Sequence, residues 1–127
     1  MKIKALFFDI DGTLVSFKTH KIPQSTVAAL EVAKANGVEV YISTGRPPMI
    51  ITNLGQIEHL IDGYITTNGA RCFVGDKVVS QHSILRSDVD KIIAASDRDD
   101  YPAIVVGERR IAIHHYTDEV YDIFAKG

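Results

Sequence analysis

The first ten residues contain a short, nearly continuous apolar run, Ile3 to Ile10, with acidic residues at its end. A strand with one solvated face alternates apolar and polar residues, whereas a continuous apolar run is typical of a strand buried on both faces. Such strands occur in parallel sheets that helices cover on both sides. The run therefore predicts that the chain opens an α/β architecture with a strand buried on both of its faces.

Two more strands and two helices are predicted before residue 70, in the order strand–helix–strand–helix–strand. Pro23 lies where the first turn of a helix tolerates proline, and Asn36–Gly37 provides the stop. Val38–Ser43 and Tyr64–Thr67 have the composition of strands, and the segment between them has apolar residues at helical spacing. Those apolar residues are Ile50, Ile51, Leu54, Ile57 and Leu60. The order predicts a Rossmann-like, doubly wound parallel sheet with right-handed crossovers.

The pattern changes after Asn68–Gly69, where pairs of short strands replace the strand–helix alternation. Gly75–Asp76 favours a tight hairpin turn, and Ser87 is a candidate helix cap. The predicted elements are strands over Arg71–Val74 and Lys77–Gln81, a helix from Ser87 to about Ser96, strands over Ala103–Val106 and Arg110–His114, and a helix that begins near Thr117. We therefore divide the chain into residues 1–69, part of an α/β core, and residues 70–127, the start of an α+β domain.

Composition and charge exclude several classes of function. The net charge of -2 offers no basic surface for nucleic acid or for an anionic membrane. The single Cys72 cannot form an internal disulfide. The first residues lack the features of a signal peptide, and no apolar run approaches the roughly 20 residues that span a bilayer. We expect a cytoplasmic protein without nucleic-acid or membrane partners, and the sequence specifies no oligomeric state.

The acidic pair Asp9 and Asp11 follows the first strand directly. In extended backbone, residues two apart point to the same side, so both carboxylates would project together while Ile10 faces the core. Crowded like charges repel, so one carboxylate must be protonated or both must share a cation such as Mg²⁺. One carboxylate can then attack phosphorus, and its neighbour can protonate the leaving oxygen. The pair predicts a magnesium-dependent phosphoryl-transfer site.

Two other interpretations of the acidic pair are weaker. A bare Asp-x-Asp is usually part of a solvated loop, and a calcium-binding EF-hand loop begins in the same way. The EF-hand needs glycine at its sixth position, whereas Gly12 is fourth, and no Glu follows at the required distance. The buried strand before the pair and Gly12–Thr13 after it favour a functional site.

A second polar loop, Ser43 to Arg46, follows the second predicted strand. In a parallel sheet this loop emerges at the same edge as Asp9, where α/β folds bind their ligands. The hydroxyl of Thr44 and the amide of Gly45 can bind phosphate oxygens there, and a following helix would add its dipole. Alone, the loop is an ordinary strand-to-helix turn; together with the acidic pair it predicts a phosphate site.

Four segments together resemble the haloacid dehalogenase superfamily, and most closely its Cof-type phosphatases. The segments are Phe8–Leu14, Ser43–Pro47, Asp62–Ile65 and Asn68–Ala70. The resemblance implies a Rossmann-like catalytic core with an inserted α/β cap, of which residues 70–127 would be the beginning. It also implies that small phosphate monoesters, notably sugar phosphates and related metabolites, are the substrates.

The resemblance also implies a role for each matching residue. Asp9 would be the nucleophile and a Mg²⁺ ligand, and Asp11 would be the general acid/base that offers its backbone carbonyl to the metal. Arg46 and Asn68 would lie near the substrate. The groups that would hold the transferring phosphoryl group are the Ile10 amide, Thr44 and Gly45.

Two parts of the family pattern have no counterpart in these residues. The family also uses a lysine on a later strand and a second acidic motif that completes the metal site. Lys91 and Lys126 lie in helical, cap-like context, and Gly75–Asp76 belongs to a hairpin without the following acids. We therefore expect that this chain is an incomplete fragment of the enzyme and is inactive by itself.

Two functions of other classes compete with the phosphatase. A receiver-like signalling domain also forms an aspartyl-phosphate, but its acceptor follows the third strand, and the strand that ends at Thr67 offers no aspartate there. A non-catalytic assembly module is the second alternative, and it is suggested by the missing metal ligands.

The histidines and the acidic segment Asp97–Asp100 receive no functional role from the sequence. His114 and His115 are adjacent, so on a strand they would face opposite ways and could not share a metal. Asp97–Asp100 is interpreted as a polar turn before Tyr101–Pro102.

Overall fold

The structure is a computed structural model that describes residues 2–125, with side chains through Tyr121. The chain forms two compact units: the first ends at His82 and the second begins at Ser83. The sequence places a boundary at residue 69 instead, so the first hairpin, which we counted with residues 70–127, lies within the first compact unit. None of the described helices has the length and apolar character needed to cross a bilayer.

The first unit is built on a five-stranded sheet in the order β1-β2-β3-β4-β5. Three strands are parallel, namely β1 (Ala5–Phe8), β2 (Glu39–Ser43) and β3 (Gly63–Thr66). β4 (Arg71–Val74) and β5 (Lys77–Gln81) extend the sheet as an antiparallel hairpin. This architecture confirms the Rossmann-like α/β fold that the sequence predicts.

The helix α1 (Gln24–Ala35) connects β1 to β2. Pro23 directly precedes it, where the missing N–H costs no helical hydrogen bond, and Gly37 follows its end with a φ of 77°. Glycine adopts such a left-handed conformation without the steric cost of a Cβ. The buried side chains of Val27 and Leu30 attach the helix to the core.

The hydrophobic core of the first unit is one contiguous cluster. It combines residues of β2 and α1 with residues of the two loops that follow β1 and β2. Its buried members are Ile10, Leu14, Val15, Ile22, Val27, Leu30, Val40, Ile42, Leu54, Ile57 and Leu60. Because Ile10 is fully buried in this cluster, the core fixes the backbone directly between Asp9 and Asp11.

The face of β1 that carries Phe7 is exposed to solvent. Phe7 is 58% exposed, and its ring stacks on that of Tyr41 with 4.9 Å between the ring centroids. The expectation that β1 is buried on both faces is therefore wrong for the described residues. Within residues 2–125, β1 lies at the edge of the sheet and pairs with β2.

The connection from β2 to β3 contains no α-helix in the structure, so the second predicted helix is wrong. Two short 3₁₀ turns, Pro48–Ile50 and Glu58–Leu60, take its place. Gly55 near the middle of the segment lowers its α-helical propensity. Three of the apolar residues predicted to face inward are nevertheless buried, namely Leu54, Ile57 and Leu60.

The second unit contains two helices and a separate two-stranded sheet. Its elements are α2 (Arg86–Asp99), β6 (Ala103–Val106), β7 (Ile111–His114) and α3 (Asp118–Ala125). Ser87 lies inside α2 rather than capping it, because the helix begins one residue earlier, after Leu85. Asp90, also inside α2, forms an ion pair with Arg86 at 2.9 Å.

Asp62 connects three elements of the first unit. Its two carboxylate oxygens lie 2.6 Å from Lys34 Nζ on α1, and Oδ2 also accepts the Val40 N–H of β2 at 2.7 Å. Asp62 directly precedes β3, and its own N–H donates to the Val40 carbonyl at 2.7 Å. Burial raises the pKa of Asp62, but the bonds from Lys34 and Val40 and the Lys34 charge outweigh it and hold the pKa below its ordinary value.

We expect Asp62→Asn to lower the free energy of unfolding by about 1–2 kcal/mol at pH 7, because the amide loses the charge-assisted bonds to Lys34. The folded-state pKa of Asp62 lies below the unfolded one, so this contribution is complete above the ordinary carboxyl pKa of about 4. It is lost as the pH falls through the folded-state pKa. Urea denaturation of both proteins between pH 7 and pH 2 measures the difference.

The matched control is Glu31→Gln on the exposed face of α1, which should change the free energy of unfolding by less than about 0.5 kcal/mol. A destabilisation by Asp62→Asn that stays constant across the pH range would contradict the assignment.

Candidate active site

The carboxyl ends of β1, β2 and β3 meet at one edge of the sheet. The parallel register pairs Phe8 with Ile42 and Ser43 with Ile65, so the turns that follow the three strands lie side by side. A pocket of about 400 Å³ opens between these turns. The residues that line it are Asp9, Ser43, Thr44, Gly45, Ile65, Asn68 and Gly69. The structure thus brings four sequence-predicted site residues into one pocket: Asp9, Thr44, Gly45 and Asn68.

The turn after β1 presents Asp9 to this pocket. Its carboxylate Oδ1 accepts the N–H of Ile10 at 2.8 Å, while the Ile10 side chain is fully buried. The Ile10 carbonyl accepts the N–H groups of the three residues from Thr13 to Val15 at 2.9–3.3 Å. Gly12 has a φ of 76°, and a Cβ there would lie 2.5 Å from the Phe17 ring. This tight turn therefore requires glycine.

Asp11 is held outside the pocket lining by Arg46. The guanidinium donates from Nη2 to Oδ1 at 2.7 Å and from Nε to Oδ2 at 2.8 Å, and its Nη1 donates to the Ile50 carbonyl at 3.0 Å. Because β1 ends at Phe8, the backbone between Asp9 and Asp11 is a turn rather than a strand, and strand alternation does not govern their directions. Such a bidentate pair fixes both the position and the orientation of the carboxylate.

The turns after β2 and β3 are bonded to each other. The Asn68 N–H donates to the Thr44 carbonyl at 3.2 Å, and the Thr67 N–H donates to the Arg46 carbonyl at 3.1 Å. The buried Thr44 hydroxyl oxygen accepts the Arg46 N–H at 3.0 Å. A Cβ on Gly45 would lie 3.1 Å from the Asn68 side-chain oxygen, so glycine allows the Asn68 amide to lie against the backbone.

The sequence missed three residues that line the pocket, although each belongs to a segment that carried the resemblance. Ser43 ends β2, Ile65 belongs to β3, and Gly69 follows Asn68. A second missed feature is the backbone after β3, where Thr67 and Asn68 have φ values of 52° and 53°. No periodicity reports such a left-handed pair, although asparagine is one of the residues that tolerate the conformation.

The chemical groups that line the pocket around Asp9 suit a hard divalent cation, because carboxylate, hydroxyl and carbonyl oxygens are the ligands that such a cation prefers. Both carboxylate oxygens of Asp11 accept hydrogen bonds from Arg46, which leaves the backbone carbonyl as the group that Asp11 can offer to a metal. Among the described residues that line the pocket, Asp9 is the one carboxylate, and no lysine is present. Lys91 forms an ion pair with Asp88 on α2, and Lys126 lies outside the described residues.

We expect Thr44→Val to lower the free energy of unfolding by about 1–2 kcal/mol, because it leaves the Arg46 N–H without its acceptor at nearly unchanged side-chain volume. Urea denaturation at neutral pH measures the loss. The matched control is Thr52→Val at an exposed position, for which a change below about 0.5 kcal/mol is expected. Equal stabilities of the two variants would show that the Thr44 hydroxyl does not support the turn.

Fold and pocket together define a Rossmann-like α/β unit with a pocket at the carboxyl edge of its parallel strands. The family model of the haloacid dehalogenase-like hydrolases matches residues 6–126. The chain belongs to this family of hydrolases, and the resemblance to its Cof-type phosphatases is confirmed.

Similar proteins cover almost the whole chain. YkrA of Bacillus subtilis, a candidate phosphatase by name, is 27% identical over 109 residues, which are 85% of this chain and 41% of YkrA. The solved structure of the subclass IIB sugar phosphatase BT4131 is 49% identical with a TM-score of 0.90, over 97% of this chain and 48% of that one. BT1666 from Bacteroides thetaiotaomicron is 30% identical with a TM-score of 0.85, over 98% of this chain and 46% of that one. The chain spans about half the length of these relatives.

The structure also brings together three residues that the sequence set aside. The expectation that His114 and His115 face opposite ways is wrong, because both imidazoles contact Asp97. The segment Asp97–Asp99 is the last turn of α2 rather than a loop. This group belongs to the second unit and does not line the Asp9 pocket.

Proposed function

We propose that this chain supplies the nucleophile and the phosphate-binding turns of a Mg²⁺-dependent phosphatase that hydrolyses small phosphorylated metabolites, with sugar phosphates as the leading class. The observation that carries the proposal is the pocket in which the Asp9 carboxylate lies with Thr44 and Gly45. BT4131, which is described as a sugar phosphatase, is 49% identical to this chain and supports that substrate class. Because the chain covers 48% of that structure, the activity is proposed for the whole protein.

The division of labour between the two units forms part of the proposal. The first unit, through His82, would be part of the catalytic core, because it holds the parallel sheet and the pocket. The second unit, from Ser83, would be the beginning of the cap. This assignment moves the boundary from residue 69 to the end of the hairpin β4–β5, because that hairpin pairs with β3 in the core sheet.

In the first chemical step, one Asp9 carboxylate oxygen attacks phosphorus, and the bond from phosphorus to the ester oxygen breaks. The leaving oxygen takes a proton from the Asp11 carboxyl group. In the second step, Asp11 removes a proton from water, which attacks the aspartyl-phosphate and releases inorganic phosphate and the Asp9 carboxylate. Mg²⁺, held by the Asp9 carboxylate and the Asp11 carbonyl, would offset the phosphoryl charge when bound.

The phosphate-binding groups have the hydrogen atoms that this role requires. Because the Thr44 oxygen already accepts the Arg46 N–H, its own hydroxyl hydrogen remains for donation to a phosphoryl oxygen. The Gly45 N–H and the Ile10 N–H would add two backbone donors. The Ile10 N–H donates to Asp9 Oδ1 at 2.8 Å in the structure, so a bound phosphoryl group would have to take over this donor.

Asp11 has to act once as an acid and once as a base, and its contact with Arg46 corresponds to the second of these roles. A bidentate contact with a guanidinium suits the carboxylate form, which is the form that deprotonates water. To act as the acid, Asp11 has to release at least one of these bonds. Arg46 is therefore proposed as the residue that positions Asp11.

The test of the nucleophile needs the parts of the enzyme that this chain does not cover. We would fuse the chain to the part of BT4131 that it does not match and measure phosphate release from a panel of sugar phosphates with and without Mg²⁺. We expect turnover that requires Mg²⁺ and falls by at least about 10³-fold in Asp9→Asn, because the amide cannot form the aspartyl-phosphate. The 127-residue chain alone should show no turnover, because its described pocket lining contains no lysine and no second carboxylate.

The matched control for Asp9→Asn is Asp76→Asn in the β4–β5 turn, which should retain the activity of the parent fusion. Circular dichroism and gel filtration establish that each fusion is folded. Undiminished turnover in a folded Asp9→Asn fusion would end the assignment of the nucleophile. Magnesium-independent turnover would end the assignment of the cofactor.

The positioning role of Arg46 predicts a different kinetic signature. Arg46→Lys keeps the charge but loses the two-pronged geometry, so we expect kcat to fall by about 10- to 100-fold while KM changes little. The control is Arg86→Lys, which alters an exposed ion pair on α2 and should leave both constants unchanged. A raised KM at unchanged kcat would assign Arg46 to substrate binding instead.

A further inference from the structure

Three potential metal ligands converge in the second unit. His114 Nε2 lies 2.7 Å from Asp97 Oδ1, and His115 Nε2 lies 2.8 Å from the same oxygen. One ligand atom from each residue lies within 4.8 Å of the other two. Two imidazole nitrogens and one carboxylate oxygen form a donor set typical of zinc and related divalent transition metals.

The backbone explains how two adjacent histidines reach one point. β7 ends at His114, and His115 takes a φ of 55°, a left-handed conformation that is uncommon for a residue with a Cβ. This reversal turns the His115 ring to the side of the His114 ring, and the two centroids are 4.6 Å apart in an edge-to-face arrangement. Asp97 lies in the last turn of α2. The three ligands therefore come from the end of α2, the end of β7 and the residue that directly follows β7.

We propose that Asp97, His114 and His115 form a binding site for Zn²⁺ or a similar divalent transition metal, separate from the proposed magnesium site. Ligand atoms around a tetrahedral zinc ion lie about 3.3–3.6 Å apart, given bond lengths of about 2.0–2.2 Å. The two nitrogen–oxygen distances of 2.7 and 2.8 Å therefore have to widen by less than about 1 Å. Side-chain rotations can supply that movement, and water would complete the fourth position.

The proton balance of binding follows from the observed contacts. Both Nε2 atoms contact an oxygen that can only accept hydrogen bonds, so each carries a proton that has to leave before the nitrogen can bind metal. A neutral ring can move this proton to Nδ1, and a charged ring releases it to solvent. For His115, the Asp100 carboxylate lies 3.8 Å from Nδ1, and its charge favours a proton on that nitrogen, which is the tautomer that leaves Nε2 free.

The carboxylate is ready to act as a ligand. Hydrogen bonds from His114 and then from His115 hold the pKa of Asp97 below its ordinary value. The two imidazoles are 37% and 34% exposed, and Asp97 is 57% exposed, so an ion can enter from solvent. The same exposure also fits a simple ion pair between Asp97 and the histidines, and this is the alternative that an experiment has to exclude.

The experiment uses the tag-free 127-residue chain with Asp9→Asn, which weakens any competing metal site in the first unit. Isothermal titration with Zn²⁺ at pH 7.5 should show one ion bound with a micromolar dissociation constant. Asp97→Asn, His114→Ala and His115→Ala should each weaken this binding by at least about tenfold. The controls are His59→Ala and His82→Ala, which remove exposed single histidines of the first unit and should leave the affinity unchanged.

A second measurement does not depend on the folding of the variants. Nitrogen chemical shifts of the imidazole rings in the parent chain report whether Nε2 is protonated or metal-bound. One equivalent of Zn²⁺ should shift Nε2 of His114 and His115 and leave His59 and His82 unchanged. No Zn²⁺ binding, binding that all three substitutions leave intact, or unchanged Nε2 shifts would overturn the proposal. None of these outcomes bears on the phosphatase, because the two sites share no residue.

Discussion

The parallel pairing of β1, β2 and β3 is the constraint on which the site depends. This pairing sets the ends of the three strands side by side, so one edge of the sheet collects Asp9, Thr44 and Asn68 from distant parts of the chain. The turns after β2 and β3 are then bonded to each other through the backbone carbonyls of Thr44 and Arg46, and the Arg46 side chain links them to the turn after β1. A small shift of register in any of these strands would separate the carboxylate from the hydroxyl–glycine turn.

The acidic pair shows how charge is arranged at this edge. Two carboxylates so close in sequence require a counter-charge, and the sequence suggested a shared metal ion. In the structure, Arg46 supplies a counter-charge to Asp11, while Asp9 faces the pocket. The two aspartates thus have different surroundings despite their spacing, which agrees with the separate roles that we propose for them.

Much of the fold and part of the site could be predicted from the sequence, because local patterns determine them. The strands, α1 and the β4–β5 hairpin follow from apolar runs, Pro23 and Gly75. The helix predicted between β2 and β3 failed because Leu54, Ile57 and Leu60 can also be buried by 3₁₀ turns and loop, so their spacing does not specify an α-helix. The sequence already argued against a receiver-like domain, because the strand that ends at Thr67 offers no aspartate there, and the family match shows a hydrolase.

Other features depend on contacts or backbone angles that no sequence period records. The bidentate ion pair between Arg46 and Asp11 joins residues that are 35 positions apart. The convergence of His114 and His115 depends on a single φ value after the end of β7. Strand alternation is a sound rule within a strand, but it fails at the first residue beyond the end, and that is where His115 lies.

The outer edge of β1 affects how the chain behaves in solution. Within residues 2–125, the outer edge of β1 presents backbone donors and acceptors beside the stacked rings of Phe7 and Tyr41. Such an edge is a template for pairing with a strand from another molecule. Concentrated samples of this chain would therefore tend to self-associate through β1, and kosmotropic salts such as sulfate would strengthen this association, because it buries apolar rings.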